Sequence, residues 1–481
     1  MLAASLTPVP GNLFGNGLAV AIVATLHVQI ATFMTGGSTL AVISEGIAMA
    51  RNDPRHSQLS HDLIKGIAYL FSFGSAVAIF WVLWILMALW GRFFVDLTRI
   101  TLYMFVFEAA AFVVEIIVLY TIYANWDRLG TYRRARLGLL VLLAVVLWFQ
   151  MFLINVVASY MLSPNGGDVN QLSQVLNPTF LPLQLHRTVG NIAWAGAVLA
   201  FYAGLRYLLA TRRARREVAV GTAPAHSVGA MSAARFANSS APPARRDSRL
   251  PYWDWLGQWG VLWAVGLSLF QIWIGYSYAK EVQLHTFPAW FRMMRGTLSN
   301  VFLVQIFLLG MIFILGTLYF WRRMRASGAR GTRTQIVCLV IIVLATLLAI
   351  QPAWFALSLP DVQAAHLDRP WWDGGLLNPI GDFIPNKVFA LVLIMLCGLV
   401  AITSYLRAYS RGEVRMGETT RRLQGVLLAL GVTVSLMMAT MGVIRENSRQ
   451  PFLIHGELRL QHQQIVTTPP QAPANSVNPG S

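Results

Sequence analysis

The sequence predicts an all-α, polytopic membrane bundle of about ten transmembrane helices. Three observations predict it. The chain of 481 residues is 56% hydrophobic and only 12% charged, whereas a soluble domain is about 25% charged. Its apolar runs are long enough to cross a bilayer as helices. Its arginines collect in the short loops between those runs, as membrane topology requires. That placement accounts for the net charge of +17 and excludes nucleic acid as a partner; the partner it implies is the lipid membrane.

The runs place the spans at 17–50, 63–90, 98–124, 136–161, 187–210, 254–279, 297–320, 334–357, 386–406 and 422–443. The first has neither a basic leader nor a small-residue cleavage site, so it reads as a retained helix. It is long, and the Gly36-Gly37 pair is expected to break it. Most Lys and Arg fall after the odd-numbered spans, as in Arg133, Arg134 and Arg136, "TRRARR" at 211–216 and "RRMR" at 322–325. The first sixteen residues carry none. The positive-inside rule then puts both termini on the outer, periplasmic side of a bacterial cytoplasmic membrane. Cys338 and Cys397 lie inside apolar runs and offer neither a disulfide framework nor metal spacing. Four regions follow: an N-terminal five-helix half at 1–212, a basic, disordered inner linker at 213–250 rich in Ala, Arg, Ser and Pro, a C-terminal five-helix half at 251–456, and an extended outer tail at 457–481.

Ionisable groups inside spans are costly and stand out as functional candidates. They are His27, Glu45, Glu108 and Glu115, joined at the outer span ends by His186, Met294 and Glu446. The topology brings His27, His186, Met294 and Glu446 to one depth in the outer half. Four separated metal-ligand types at one depth suggest heme, whose iron takes imidazole or thioether and whose ring needs an apolar slot between helices. Each residue taken singly also admits a plainer role: core filling for Met294, an interface hydrogen bond for the histidines, a solvated cap for Glu446.

Local motifs go further. "WDRLG" at 126–130 with Glu115 before it, "YMLSPNG" at 160–166, "LNPTFLPLQLH" at 176–186, "WFRMM" at 290–294 and "RENSRQPF" at 445–452, in that order, resemble subunit I of cytochrome bd oxidases. The resemblance covers about 1–210 and patches around 290–320 and 422–456. It implies that His186 and Met294 ligate a low-spin heme b. It implies that His27 and Glu446 serve two further hemes, b or d, where O2 is reduced. Arg292, Arg445 and Arg449 would offset propionate charge, as guanidinium groups pair well with carboxylates, or would snorkel to the interface. Glu108 and Glu115, seven residues apart, share a helix face and match a proton path. Glu45 resembles an acidic residue of the family's first helix, or is an interface acid beside Arg51. The resemblance also implies a second membrane subunit.

Departures from the family bear on the electron donor. The long outer loop that helps oxidise quinol is reduced here to 280–296, "KEVQLHTFPAWFRMMRG". The lysine three residues before the low-spin histidine is replaced by Leu183, and two extra spans lie between Met294 and Glu446. The resulting expectation is a bd-like oxygen reductase fed by a periplasmic c-type cytochrome rather than quinol. The alternative is a membrane cytochrome b that only carries electrons between cytochrome c and the quinone pool. A heme-free scaffold is the third reading, and the four ligand-type residues argue against it. CO binding and heme content separate the three.

Overall fold

A computed structural model describes residues 16–75, 87–164, 177–221, 249–294, 296–351, 385–416, 419–461 and 464–467. Among these, thirteen α-helices form one bundle: α1 (Asn16–Arg51), α2 (Pro54–Leu70), α3 (Gly91–Ile100), α4 (Leu102–Ala124), α5 (Trp126–Leu129), α6 (Arg133–Leu162), α7 (Phe180–Gly221), α8 (Leu250–His285), α9 (Phe287–Met294), α10 (Ser299–Ser327), α11 (Thr332–Ala349), α12 (Pro385–Ser410) and α13 (Arg421–Ser448). A π-helical turn, Phe71–Ser75, continues α2. Nine of the described helices are long and apolar enough to cross a membrane. Of the expected span 63–90, residues 76–86 lie outside the described residues.

The helices are apolar on nearly every side. Leu102, Val106, Phe107, Val113, Val114 and Ile117 of α4 stay exposed, which in water would be untenable and in a bilayer is the solvated surface. The interior is held by tight helix crossings. Small residues set them, as packing in lipid favours close backbone approach. A Cβ built on Gly260 of α8 would lie 2.6 Å from the Ala200 nitrogen of α7, and one on Gly196 would lie 2.7 Å from Trp263 Cβ. The two halves interlock, because α7 packs on α1, α8 and α13 together.

Several expectations change here. Gly36-Gly37 does not break α1, which is continuous through both. Gly36 instead lets the backbone of Asn191 on α7 pass against α1. The first residues of the expected linker, 213–221, continue helix α7, and 222–248 lie outside the described residues. The segment 280–296 is helical: α8 runs to His285, Thr286 turns the chain, and α9 follows. The tail from 457 contains two short strands. With Phe452–Ile454 as β1, Leu458–Gln461 as β2 and Gln464–Thr467 as β3, it makes an antiparallel sheet in the order β1-β2-β3.

The sheet helps close one end of the bundle. Ile454 and Leu458 pack with Phe93 and Leu97 of α3 and with Leu153, Val156 and Tyr160 of α6. The His455 nitrogen donates to the Met161 carbonyl at 3.0 Å, and Tyr160 donates to Glu457 at 2.9 Å. The other, arginine-rich end is tied by two buried ion pairs, Arg136 with Glu45 and Arg323 with Asp254, and by a bond from Tyr252 to Asp62 at 2.9 Å.

Candidate functional site

His186 lies in the second turn of α7, because the helix begins at Phe180 rather than near residue 187. The preceding segment is fixed by Asn177, whose Nδ2 donates to Ser159 Oγ at 2.7 Å. The His186 carbonyl accepts from Gln271 Nε2 of α8 at 2.8 Å, so the two helices are registered at this level. The imidazole faces Gly275: a Cβ built there would stand 3.7 Å from its Cδ2 and Nε2. A glycine opposite a potential ligand leaves the ring edge uncovered by any side chain of that position.

Met294 ends α9, five residues before α10 starts, and does not open a spanning helix as the apolar runs suggested. It is buried with Leu162, Ala279, Val282 and Trp290. Tyr278 flanks that cluster and its ring centroid is 6.2 Å from that of His186. One residue of α8 therefore borders both members of the expected His/Met pair. Its hydroxyl is buried without a hydrogen-bond partner among the described residues.

His27 is half-buried on α1 and lies within electrostatic reach of Arg187. Glu446, near the end of α13, is 57% exposed at its side chain and pairs with Arg449. Arg449 is buried, donates from Nη1 to the Leu453 carbonyl at 2.7 Å, and keeps an unpartnered Nε. Arg445 likewise has a buried Nε, and neither Nε has a partner among the described residues. Arg292 is half-buried beside His455. Burial, with Arg292 and Arg449 close by, holds the His455 imidazole below the usual range.

The residue that sequence reasoning missed is Arg187. It donates from Nη1 to Asn155 Oδ1 at 2.6 Å, and Asn155 donates in turn to Gln184 at 2.7 Å. The charged or ionisable groups around Arg187 are His27, Arg445 and Tyr278, and none is an acid at neutral pH. Around Arg449 they are Glu446, Arg445 and Tyr278. Among the described residues Glu446 pairs with Arg449, while Arg187 bonds to the neutral Asn155. Burying guanidinium without counter-charge costs several kcal/mol, so the site calls for an anionic group. The propionates of heme have that charge, and the open edge of His186 beside Gly275 suits a ring ligand. The residues present fit such a group. No cluster of three or more His, Cys, Asp or Glu occurs among the described residues, and a heme does not need one.

Glu115 is buried in α4 and accepts from Gln150 Nε2 of α6 at 2.9 Å, while its Oε1 has no partner. Glu108, two turns away, is half-buried among exposed apolar neighbours. Glu45 does not pair with Arg51. It pairs with Arg136 and accepts from Ser57 at 3.1 Å, which places it at the arginine-rich end and apart from the ligand set.

Residues 18–248 match a family model described as cytochrome bd terminal oxidase subunit I. Among solved structures, the bd oxidase from Geobacillus thermodenitrificans aligns at 14% identity with a TM-score of 0.44, over 91% of this chain and 98% of that one. No curated protein matches the sequence.

Proposed function

We propose, from the match of residues 18–248 to the cytochrome bd terminal oxidase subunit I family, that the chain is a multi-pass membrane subunit of an oxygen-reducing oxidoreductase whose residues divide the work as follows. His186 and Met294 would hold a low-spin heme b. His27 and Glu446 would hold two further hemes, b or d. When bound, these groups supply one-electron transfer and the reduction of O2 to water.

The observation that carries the reading is the group of three arginines around Tyr278, with Arg187 and Arg445 half-buried and Arg449 buried. Arg187 and Arg445 approach each other without an acid between them. Propionates would restore the balance, with Arg292, Arg445 and Arg449 as their partners. Glu446 must release Arg449 to reach an iron, and the freed guanidinium then remains beside the same site. Tyr278 packs between the His186 ring and the Met294 cluster and would keep the two ligands at a fixed separation.

Protons reach the site by carboxylate. Gln150 fixes Oε2 of Glu115 and leaves Oε1 to gain and lose a proton. Glu108 would continue the relay along α4. A carboxyl desolvated in a helix bundle is neutral more readily than in water, which suits it to this work.

Electrons would arrive from the end that carries the sheet, from a periplasmic c-type cytochrome rather than quinol, since α8 and α9 meet at Thr286 with no room for a long loop. Both termini then lie outside the bacterial cytoplasmic membrane, and a second membrane subunit completes the complex.

A CO difference spectrum of the reduced, purified complex, with heme extraction from the same sample, tests the reading. A CO-shifted heme band is expected. Hemes that ignore CO would make the chain an electron conduit to or from quinone, and absence of heme would end the ligand assignments together.

A further inference from the structure

We propose that the cavity between the start of α2 and the start of α6 is a binding site for the phosphate of an anionic phospholipid headgroup. The cavity measures about 450 Å3 and its walls include Asn52, Ser57, His61, Trp126, Arg133 and Arg136. It lies at the arginine-rich end, where helices leave the apolar layer.

Its polarity is the first argument. The N-terminus of α6, at Arg133, opens on it, whereas that of α2 is already capped by Asp53, which accepts from the Arg55 nitrogen at 2.9 Å. Helix N-termini carry partial positive charge and bind phosphate readily. The cap of α6, Tyr132, makes no side-chain hydrogen bond to the helix, so its first-turn N–H groups are not covered by that residue. Arg133 adds a guanidinium group, while the charge of Arg136 is already paired with Glu45.

The second argument is an unfilled donor. Arg136 is only 5% exposed. Its Nη2 serves Glu45 and, at 3.2 Å, Ser57, yet its Nε has no partner among the described residues. The guanidinium is held from behind by Trp126, 4.5 Å from its ring centroid, and His61 stacks on the same indole at 4.5 Å. The wall is thus rigid, buried and short of an acceptor. Glu45, which would repel an anion, is already neutralised by Arg136.

The shape supports the same occupant. Asn52 adopts φ 50°, a left-handed conformation that Asn tolerates, and turns the chain sharply between α1 and α2. Tyr132, 68% exposed beside the cavity, is an interface anchor of the sort found at headgroup level. Basic pockets between transmembrane helices are known sites for acidic headgroups.

Native mass spectrometry of the purified complex, titrated with short-chain phosphatidylglycerol and phosphatidylcholine, tests this. The readout is lipid binding and so is independent of the heme reading. Arg133→Gln should weaken phosphatidylglycerol binding about fivefold, the share of one basic residue at a membrane surface. Arg134→Gln removes the same charge outside the cavity and should leave binding unchanged. Equal loss in both variants, or loss in neither, overturns the proposal. Displacement of phosphatidylglycerol by inorganic phosphate at equal concentration would make the occupant a soluble anion and overturns it too. Should Arg133→Gln fail to assemble, the wild-type complex still decides: preference for phosphatidylglycerol over phosphatidylcholine through detergent exchange supports the site, and equal retention overturns it.

Discussion

Arg187 of α7 donates to Asn155 of α6 at 2.6 Å, and this bond holds a guanidinium within electrostatic reach of both His27 and Arg445. The contact is neutral on the acceptor side, so the positive charge stays uncompensated. Arg187→Gln keeps a donor for Asn155 and removes the charge. If propionates balance this cluster, the variant attracts them less, and loss of the cation favours the oxidised iron, which carries one more positive charge than the reduced one. The expected result is lower heme occupancy and a midpoint potential of a bound heme lowered by roughly 50 mV, from a Coulomb term of about 1–2 kcal/mol at this range. Potentiometric titration of the purified complex measures it. An unchanged potential with unchanged heme content would place Arg187 outside the heme environment.

How much of this was legible in the sequence varies by residue. The membrane bundle was, because hydropathy and arginine placement report the bilayer directly. The likeness to the family model was legible over residues 18–248, where the first three of the five motifs lie. Gly36-Gly37 was misread: a glycine pair that breaks a helix and one that admits a neighbouring backbone look the same until Asn191 is placed against it. Met294 was placed one element off, since an apolar run does not show that Thr286 and the residues after 294 separate α9 from its neighbours. Arg187 was passed over although it stands at the outer start of a span, where the positive-inside rule expects few arginines. The signal that could have found it is its position beside His186. Glu45 and Arg136 are 91 residues apart, and no local pattern pairs them.

That pair carries a stability prediction. Both side chains are nearly inaccessible, at 0% and 6%. Glu45→Gln leaves Arg136 charged and buried, and should cost about 3–5 kcal/mol. A double replacement by apolar residues of similar volume, Glu45→Leu with Arg136→Met, should recover most of that loss, because it removes both desolvation penalties. Thermal unfolding in detergent compares the three proteins. A double variant no more stable than the single would show that Trp126 and Ser57 need the guanidinium itself.

The same end of the bundle should respond to pH. His56 is buried edge-on to Trp255 at 4.9 Å, with an unpartnered Nδ1. Burial lowers its pKa, as do Arg55 and Arg51, against the opposing pull of Asp53. Burial also lowers that of His61, as do Lys65 and Arg136, with Asp62 and Asp127 opposing. A depressed imidazole makes the unfolded chain the better proton acceptor. Stability is therefore full above the ordinary value of about 6.5 and falls as pH drops from there toward the lowered values. Unfolding midpoints between pH 8 and pH 5 should decline on the acid side. The double variant His56→Gln, His61→Gln should flatten that slope; an equally steep slope would assign it to other groups.

Two glycines on α8 should respond to alanine with opposite sign. Gly260 sits where α7 and α8 cross, and a Cβ there would lie 2.6 Å from both the Ala200 nitrogen and the Gly196 oxygen. These are backbone atoms, so the helices must separate to admit a methyl. Gly260→Ala should cost about 1–3 kcal/mol, the usual range for overpacking. Gly266, two turns on, has nothing within 4 Å of a built Cβ. Gly266→Ala should be neutral or slightly stabilising, since alanine restricts the unfolded chain and favours the helix. Thermal unfolding of the two variants beside the parent reads the difference. The contrast also bears on function: α8 carries Gln271, Gly275 and Tyr278, so a crossing forced apart at Gly260 should loosen the register between α8 and His186. Gly260→Ala should then broaden or shift the spectrum of any heme held there, while Gly266→Ala should leave it as it is.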